Sequence, residues 1–342
     1  MAPGAARGGT SGAAGAGEDD LIARHFRPIA GPGSLGLLDD AACLTPPPGR
    51  DLVLTKDALV AGVHFFADDP PASIARKALR VNLSDLAAKG AVPLGVLLAL
   101  ALPADHREER VGRFARALAE DCAHYAAPLL GGDTVRTPGP LAISITALGT
   151  VPRRGLVPRT GAKPGEILVV TGTIGDAALG LLVRTDPDAE WAEAVGRDGL
   201  AFLLDRYLHP QPRLALADAL RAHASAAMDI SDGLVGDAFK MLRASGVGGT
   251  LVADAVPLSD AGLAAVAALP ALRERALTGG DDYELLAAMP DEAVERFSLA
   301  AAEFGVPVAR VGVVGTPDMP LSLVDAAGED VALAGAASFS HF

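Results

Sequence analysis

A set of aspartates stands in apolar or glycine-rich surroundings, at strand ends and tight turns: Asp39-Asp40, Asp57, Asp85, Asp133, Asp229, Asp232 and Asp281-Asp282. A carboxylate in such a place needs a reason, because burying an unpaired charge is expensive. For any one of them helix capping or turn-making suffices, and capping suits Ser84-Asp85 and Ser231-Asp232. Taken together, and drawn from both halves of the chain, they could instead converge on hard cations. Donor sets made of oxygen alone favour Mg²⁺, which keeps several waters and is commonly shared with substrate phosphates. Competing chemistries find little support. The seven histidines form no HxxxH or HExxH pattern, and GxxxxGK[ST] and GxSxG are both absent. Gly172-Thr173-Ile174-Gly175 follows a predicted strand but lacks the full GxGxxG, so it reads as a tight strand-to-helix turn. The residues alone therefore point to metal-bridged handling of phosphate without a covalent intermediate.

Something must position these groups. The chain has 342 residues, 50% of them hydrophobic, which is enough for two ordinary domains with buried cores. The formal charge of −13 has the wrong sign for non-specific nucleic-acid binding, yet does not exclude a nucleotide carried by metal ions. Two cysteines, Cys43 and Cys122, make neither a disulfide framework nor a zinc ribbon, and a reducing cytoplasm is the expected setting. Residues 1–17 are rich in Ala and Gly and read as a flexible tail. The longest uncharged apolar run, Ala91 to Pro103, is too short to span a bilayer. Hydrophobic periodicity predicts helices over Glu18–Phe26, Ser73–Lys89 and Asp105–Tyr125, and another from about Asp176. It predicts strands at Leu52–Lys56, Val92–Leu102, Pro128–Leu130, Leu141–Val151, Glu166–Thr171 and Ala226–Ile230. The Pro/Gly-rich basic stretch 152–165 breaks the pattern, and the expected division is 18–154 and 155–342. The fold class is α/β (α+β) with two domains.

Several segments, in order, resemble the bacterial thiamine-monophosphate kinase family, of the aminoimidazole-ribonucleotide synthetase-like superfamily. They are GEDDLIARHF (17–26), LLDDAACL (37–44), LTKDALVAGVHF (54–65), KALRVNLSDLAAKGAVP (77–93), LLGGDTVR (129–136), RTGAKPGE (159–166), VTGTIGDAALGL (170–181), MDISDGL (228–234), LTGGDDYEL (277–285) and the terminal HF (341–342). The resemblance implies transfer of the ATP γ-phosphate to thiamine monophosphate, with several Mg²⁺ ions. It also implies a homodimer formed through the N-terminal sheet and a C-terminal α/β domain. Carried over by position, the implied Mg²⁺ ligands are Asp40, Thr55, Asp57, Asp85, Asp133, Asp229 and Asp232, with Asp133, Asp229 and Asp232 at the catalytic centre. Gly132, Asp133, Arg159 and Ser231 are the implied ATP contacts, and His64, Asp281 and Phe339 the implied substrate contacts. Three positions depart from the family pattern. Leu38 replaces a Gly before the Asp pair, and Asp281 replaces the commoner Glu. Lys56 replaces a hydroxyl residue; in a strand it faces away from Thr55 and Asp57, so any metal contact there is through its main chain. Another superfamily enzyme, or a non-catalytic Mg²⁺–nucleotide binding protein, stands as the alternative. A selenophosphate synthetase is expected to carry a reactive Cys near its start and a hydrogenase-maturation dehydratase to end in Cys, and this sequence does neither.

Overall fold

The computed structural model describes residues 17–338. The expected tail, apart from Gly17, lies outside the described residues, as do Phe339 and His341-Phe342. One turn of helix, α1 (Glu18–Leu21), runs into a π-helical turn at Ile22–Phe26. It is anchored by buried Leu21 and Phe26.

The first unit contains β1 (Arg50–Val60), α2 (Pro71–Ala88), β2 (Val92–Pro103), α3 (Glu108–His124), β3 (Leu129–Thr137) and β4 (Ala142–Pro152). Its sheet has the order β1-β4-β2-β3. β4 pairs antiparallel with both β1 and β2, whereas β2 and β3, joined through α3, are parallel. Strand alternation gives the sheet two unlike faces. Leu59, Val96, Leu98, Leu100, Ile143 and Ile145 pack under α2 and α3, against Val111, Phe114 and Leu118 of α3's apolar stripe. Thr55 and Asp57 lie on the Leu59 side of β1. Leu52, Leu54 and Lys56 point the other way and are exposed.

The second unit contains β5 (Ile167–Thr171), α4 (Asp176–Thr185), α5 (Ala192–Leu208), α6 (Ala217–His223), β6 (Ala226–Asp229), α7 (Leu234–Ser245) and β7 (Gly249–Val252). It continues through α8 (Asp260–Ala268), α9 (Leu272–Thr278), β8 (Leu285–Met289), α10 (Asp291–Ala302), β9 (Val308–Val314) and β10 (Leu321–Val324). The sheet runs β10-β7-β9-β5-β8-β6 and is mixed, with only β10 and β7 parallel. Leu168, Val170 and Met228 face a core completed by Met241 and Leu242 of α7. Val169, Ala227 and Met289 face the opposite core, with Leu220 of α6 and Phe297 of α10. Both units are α/β, in accord with the expected class.

Helix α2 ties the units together. Pro71 starts it, where a missing N–H costs nothing. Leu79, Leu83 and Leu86 enter the first core, and Ala87 and Ala88 enter the cluster holding Leu220 and Phe297. Polar ties follow the same seam. Lys89 Nζ donates to the Ala227 carbonyl at 2.6 Å, and His209 Nε2 lies 2.9 Å from Ser73 Oγ. Among the described residues no helix is long and apolar enough to cross a membrane.

One fully buried side chain sets α2 against β1. Asn82 accepts the Asp57 N–H at 2.9 Å and donates to the Ala78 carbonyl at 3.0 Å. Replacing Asn82 with Leu leaves the Asp57 amide unpartnered, and urea unfolding should show a loss of about 1–3 kcal/mol.

Candidate functional site

Where the two units meet, a cavity of about 750 Å³ opens. Asp57, Asp85, Asp229, Ser231 and Asp232 line one part of it, and His64 and Asp281 also reach its wall. Leu59, Val63, Ala177, Ala178 and Leu181 supply apolar surface. Each acid arrives on a different piece of scaffold. Asp57 is on β1, Asp85 in the last turn of α2, Asp229 at the end of β6, and Asp232 in the loop before α7.

Capping explains neither Ser-Asp pair. Ser84-Asp85 lies inside α2, and the residue preceding α7 is Gly233, with φ 118°. Asp237, fully buried in the first turn of α7, shapes the 229–232 loop instead. Its carboxylate accepts the N–H groups of Ser231 and Asp232 at 3.0 and 2.9 Å. Asp232 pairs with Lys240, whose ammonium also lies 3.0 Å from Asp237. The 279–284 segment is laced to this loop: Asp281 N–H donates to the Ser231 carbonyl at 2.9 Å and Tyr283 N–H to that of Ile230 at 2.8 Å. A Cβ on Gly280 would stand 2.3 Å from the Ser231 carbonyl oxygen, so this approach requires glycine.

The carboxylates disturb one another. Burial, followed by repulsion from Asp85 and Asp232, pushes Asp57 up from 3.8 to about 6. Asp229 is pushed far above the usual carboxylate range, again by burial first and then by Asp85, despite a hydrogen bond from Ser84 that opposes the shift. The Thr55 hydroxyl donates to Asp85. This is a concentration of negative charge with oxygen donors only, the chemistry that suits a hard divalent cation. Among the described residues no three His, Cys, Asp or Glu side chains form a closed metal-binding group, so the carboxylates ring a cavity rather than a finished coordination shell.

Other expected site residues lie elsewhere. Asp133 shares a cross-strand row with Ala99, Ser144 and Ala58, which places it on the open face of the first sheet. Asp57 belongs to the next row, on the helix face. β1 and β3 are also at opposite edges, three strand spacings or about 14 Å apart. Gly132 is fixed by packing, since a Cβ there would meet the Leu98 carbonyl oxygen at 1.8 Å. Asp40, Lys56 and Arg159 are exposed and do not line the cavity. Arg159 is close enough to Lys89 to add to burial in lowering that ammonium to about 8. His64 Nδ1 accepts the Val60 N–H at 3.0 Å, which leaves Nε2 as the ring's donor.

Several groups in the cavity wall or behind it escape a reading of the sequence. Lys240 and Asp237 are separated from Asp232 by helical spacing that only α7 makes meaningful. Lys77 stands among the basic residues of α2, with nothing in the local pattern to mark it as buried.

The chain matches two family models, described as AIR synthase related protein, N-terminal domain, over residues 38–151, and AIR synthase related protein, C-terminal domain, over 163–319. A thiamine-monophosphate kinase from Caulobacter vibrioides is 47% identical over 300 residues, covering 86% of this chain and 83% of the relative. The crystal structure of thiamine-monophosphate kinase from Stenotrophomonas maltophilia K279a superposes with a TM-score of 0.77 at 36% identity, covering 86% of this chain and 91% of that one. The structure of AaThiL complexed with AMPPCP and TMP gives 0.75 at 29% identity, covering 91% and 97%.

The raised carboxylates predict a pH response. Protonated Asp57 and Asp229 persist in the folded state where the unfolded chain has already ionised. The cation-free protein should therefore lose thermal stability as pH rises from the usual carboxylate value of 3.8 through about 6 and beyond. Added Mg²⁺ should raise the melting temperature more at pH 8 than at pH 5.5, because it binds the ionised forms. Thermal denaturation with and without Mg²⁺ across this range checks both signs.

Proposed function

The chain belongs to the thiamine-monophosphate kinase family, and from that premise we propose that the interdomain cavity is where its phosphoryl transfer takes place. The protein phosphorylates thiamine monophosphate to thiamine diphosphate at the expense of ATP, in thiamine biosynthesis. The observation that carries the assignment of the site is the meeting of Asp57, Asp85, Asp229 and Asp232 with Ser231, His64 and Asp281 around one cavity.

In this reading Asp57, Asp85, Asp229 and Asp232 hold Mg²⁺, with Thr55 oriented beside Asp85. Bound there, Mg²⁺ would neutralise phosphate oxygens, allowing two anionic groups to approach. The acceptor is a phosphate oxygen of thiamine monophosphate; it forms a bond to the γ-phosphorus of ATP as the bond to the departing ADP oxygen breaks, in line and without a covalent enzyme intermediate. Ser231, at the turn held by Asp237, contacts ATP. His64 and Asp281 contact the acceptor substrate. The apolar wall of Leu59, Val63, Ala177 and Leu181 suits the thiamine rings, and Phe339, outside the described residues, is the proposed aromatic against them.

We assign Asp133, Gly132, Arg159 and Asp40 to the same chemistry by a different route. Asp133 cannot share an ion with Asp57 of its own chain, being on the other face and at the other edge of the sheet. That face is not covered by the chain's own helices, and it exposes Leu52, Leu54, Leu97 and Val135. A second copy packed on it would bury this surface and complete a homodimer, with Asp133 at the joint between protomers. The two domains are taken as 18–154 and 155–342, and the cytoplasm as their setting.

The purified protein should form thiamine diphosphate from thiamine monophosphate, ATP and Mg²⁺. ADP appearing without thiamine diphosphate would overturn the assignment of the acceptor. Substituting Asp232→Ala should lower kcat by roughly two orders of magnitude or more, since a charge-neutralising ligand is lost, while circular dichroism stays native.

Introducing a charge on the open face tests the assembly. Leu54→Arg should turn a dimer into a monomer in sedimentation analysis, with activity falling in step if Asp133 acts at the joint.

A further inference from the structure

Helix α2 presents Lys77, Val81 and Asp85 to the cavity, an i, i+4, i+8 row on one face. At 1.5 Å per residue, Lys77 lies about 12 Å along the helix axis from the acidic end marked by Asp85. That distance is comparable to the extended length of thiamine monophosphate from its phosphate to its pyrimidine. Lys77 is only 2% exposed. Its Nζ is 2.9 Å from Asp281 Oδ2 and 4.0 Å from the centroid of the Tyr207 ring.

Each contact offsets a cost of the other. A desolvated ammonium is compensated by the carboxylate and the ring face, and the Asp281 carboxylate, itself 29% exposed, is kept from acting as a bare charge in the cavity. Asp281 is fixed from the backbone side too. Its φ is 75°, and its N–H is held by the Ser231 carbonyl, so the metal-end loop and the Lys77 pair grip the same residue.

We propose that Lys77 is a positioning residue for the acceptor substrate: by holding Oδ2 of Asp281 it aims the rest of that carboxylate at the heterocyclic end of thiamine monophosphate. The group recognised is the aminopyrimidine–thiazolium portion, which offers N–H donors and a cationic ring to a carboxylate already half neutralised. Lys77 thereby sets affinity for the acceptor and leaves the nucleotide untouched. The shorter Asp281 side chain suits this arrangement, because its reach is set by a fixed ammonium. This inference rests on thiamine monophosphate entering the cavity as described above.

The test is steady-state kinetics on the full chain with Lys77→Met, Asp281→Asn and the double variant, varying each substrate in turn. Lys77→Met should raise KM for thiamine monophosphate by about tenfold or more, as expected when a buried charged hydrogen bond is lost, with KM for ATP little changed. The double variant should be no worse than the poorer single one, because both remove the same contact. An unchanged KM for thiamine monophosphate in Lys77→Met overturns the proposal. So does a parallel rise in both KM values with a lowered melting temperature, which would mark the pair as an interdomain tie only. If Lys77→Met fails to fold, Lys77→Arg, which keeps the charge but displaces the donor from Oδ2 of Asp281, decides by the same split between the two KM values. Wild-type protein that makes no thiamine diphosphate would instead overturn the underlying reading of the site.

Discussion

The crowding of four carboxylates into one recess, Asp229 buried and the other three half-buried, is the constraint from which the rest of this structure follows. Asp57, Asp85, Asp229 and Asp232 interact strongly enough that burial and their neighbours together lift Asp57 and Asp229 toward the neutral form. A fold does not hold like charges together for stability's sake; replacing them with apolar side chains would be the stabilising choice. Lys240 beside Asp232 and the Ser84 hydroxyl on Asp229 relieve part of the strain, and both leave carboxylate oxygens available. The arrangement is a site whose negative charge is balanced from outside the chain.

Holding such a site open requires scaffold that cannot relax. Helix α2 is buried by both units, so Asp85 cannot swing away from β1 without breaking two cores. Asn82 fastens the same helix to the Asp57 amide. On the other side, Asp237 curls the loop carrying Ser231 and Asp232, and the 279–284 segment locks against it through two backbone hydrogen bonds. Packing thus does for the carboxylates what their own electrostatics oppose. Preorganised charge of this kind is what phosphoryl transfer demands of a protein.

Much of this was legible in the residues, because strand ends and apolar flanks betray carboxylates that have no local reason to be there. Alternation along β1 correctly separated Thr55 and Asp57 from Lys56. Helical period identified α3 and most of α2, though the predicted Asp105–Tyr125 begins in fact at Glu108. The capping explanation for Ser84-Asp85 fails because α2 runs on to Ala88. Lys77 was invisible for a physical reason: in the sequence it stands beside Arg76 and near Arg80 with nothing to set it apart, and only the second unit, through Tyr207 and Asp281, turns it into a buried cation. Periodicity reports burial against a helix's own sheet. It says nothing of a second domain arriving from the other side.

The sheet of the first unit raises the same question at the level of assembly. Its row Ala58–Ser144–Ala99–Asp133 lies on the face that α2 and α3 do not cover, while Asp57 occupies the opposite face. Asp133 is therefore separated from the cavity carboxylates by the thickness of the sheet as well as by its breadth. If Asp133 serves the same ions, the geometry of one chain is insufficient, and the exposed leucines on the same face gain a reason that solubility alone would deny them. Burying Leu52, Leu54 and Leu97 against a second copy would remove apolar surface from water. It would also bring an acid from each chain to the boundary between them. In the proposed dimer, hydrophobic association and completion of the charged site are one event, and the negative charge of the sequence is distributed so that neither copy holds the whole of it.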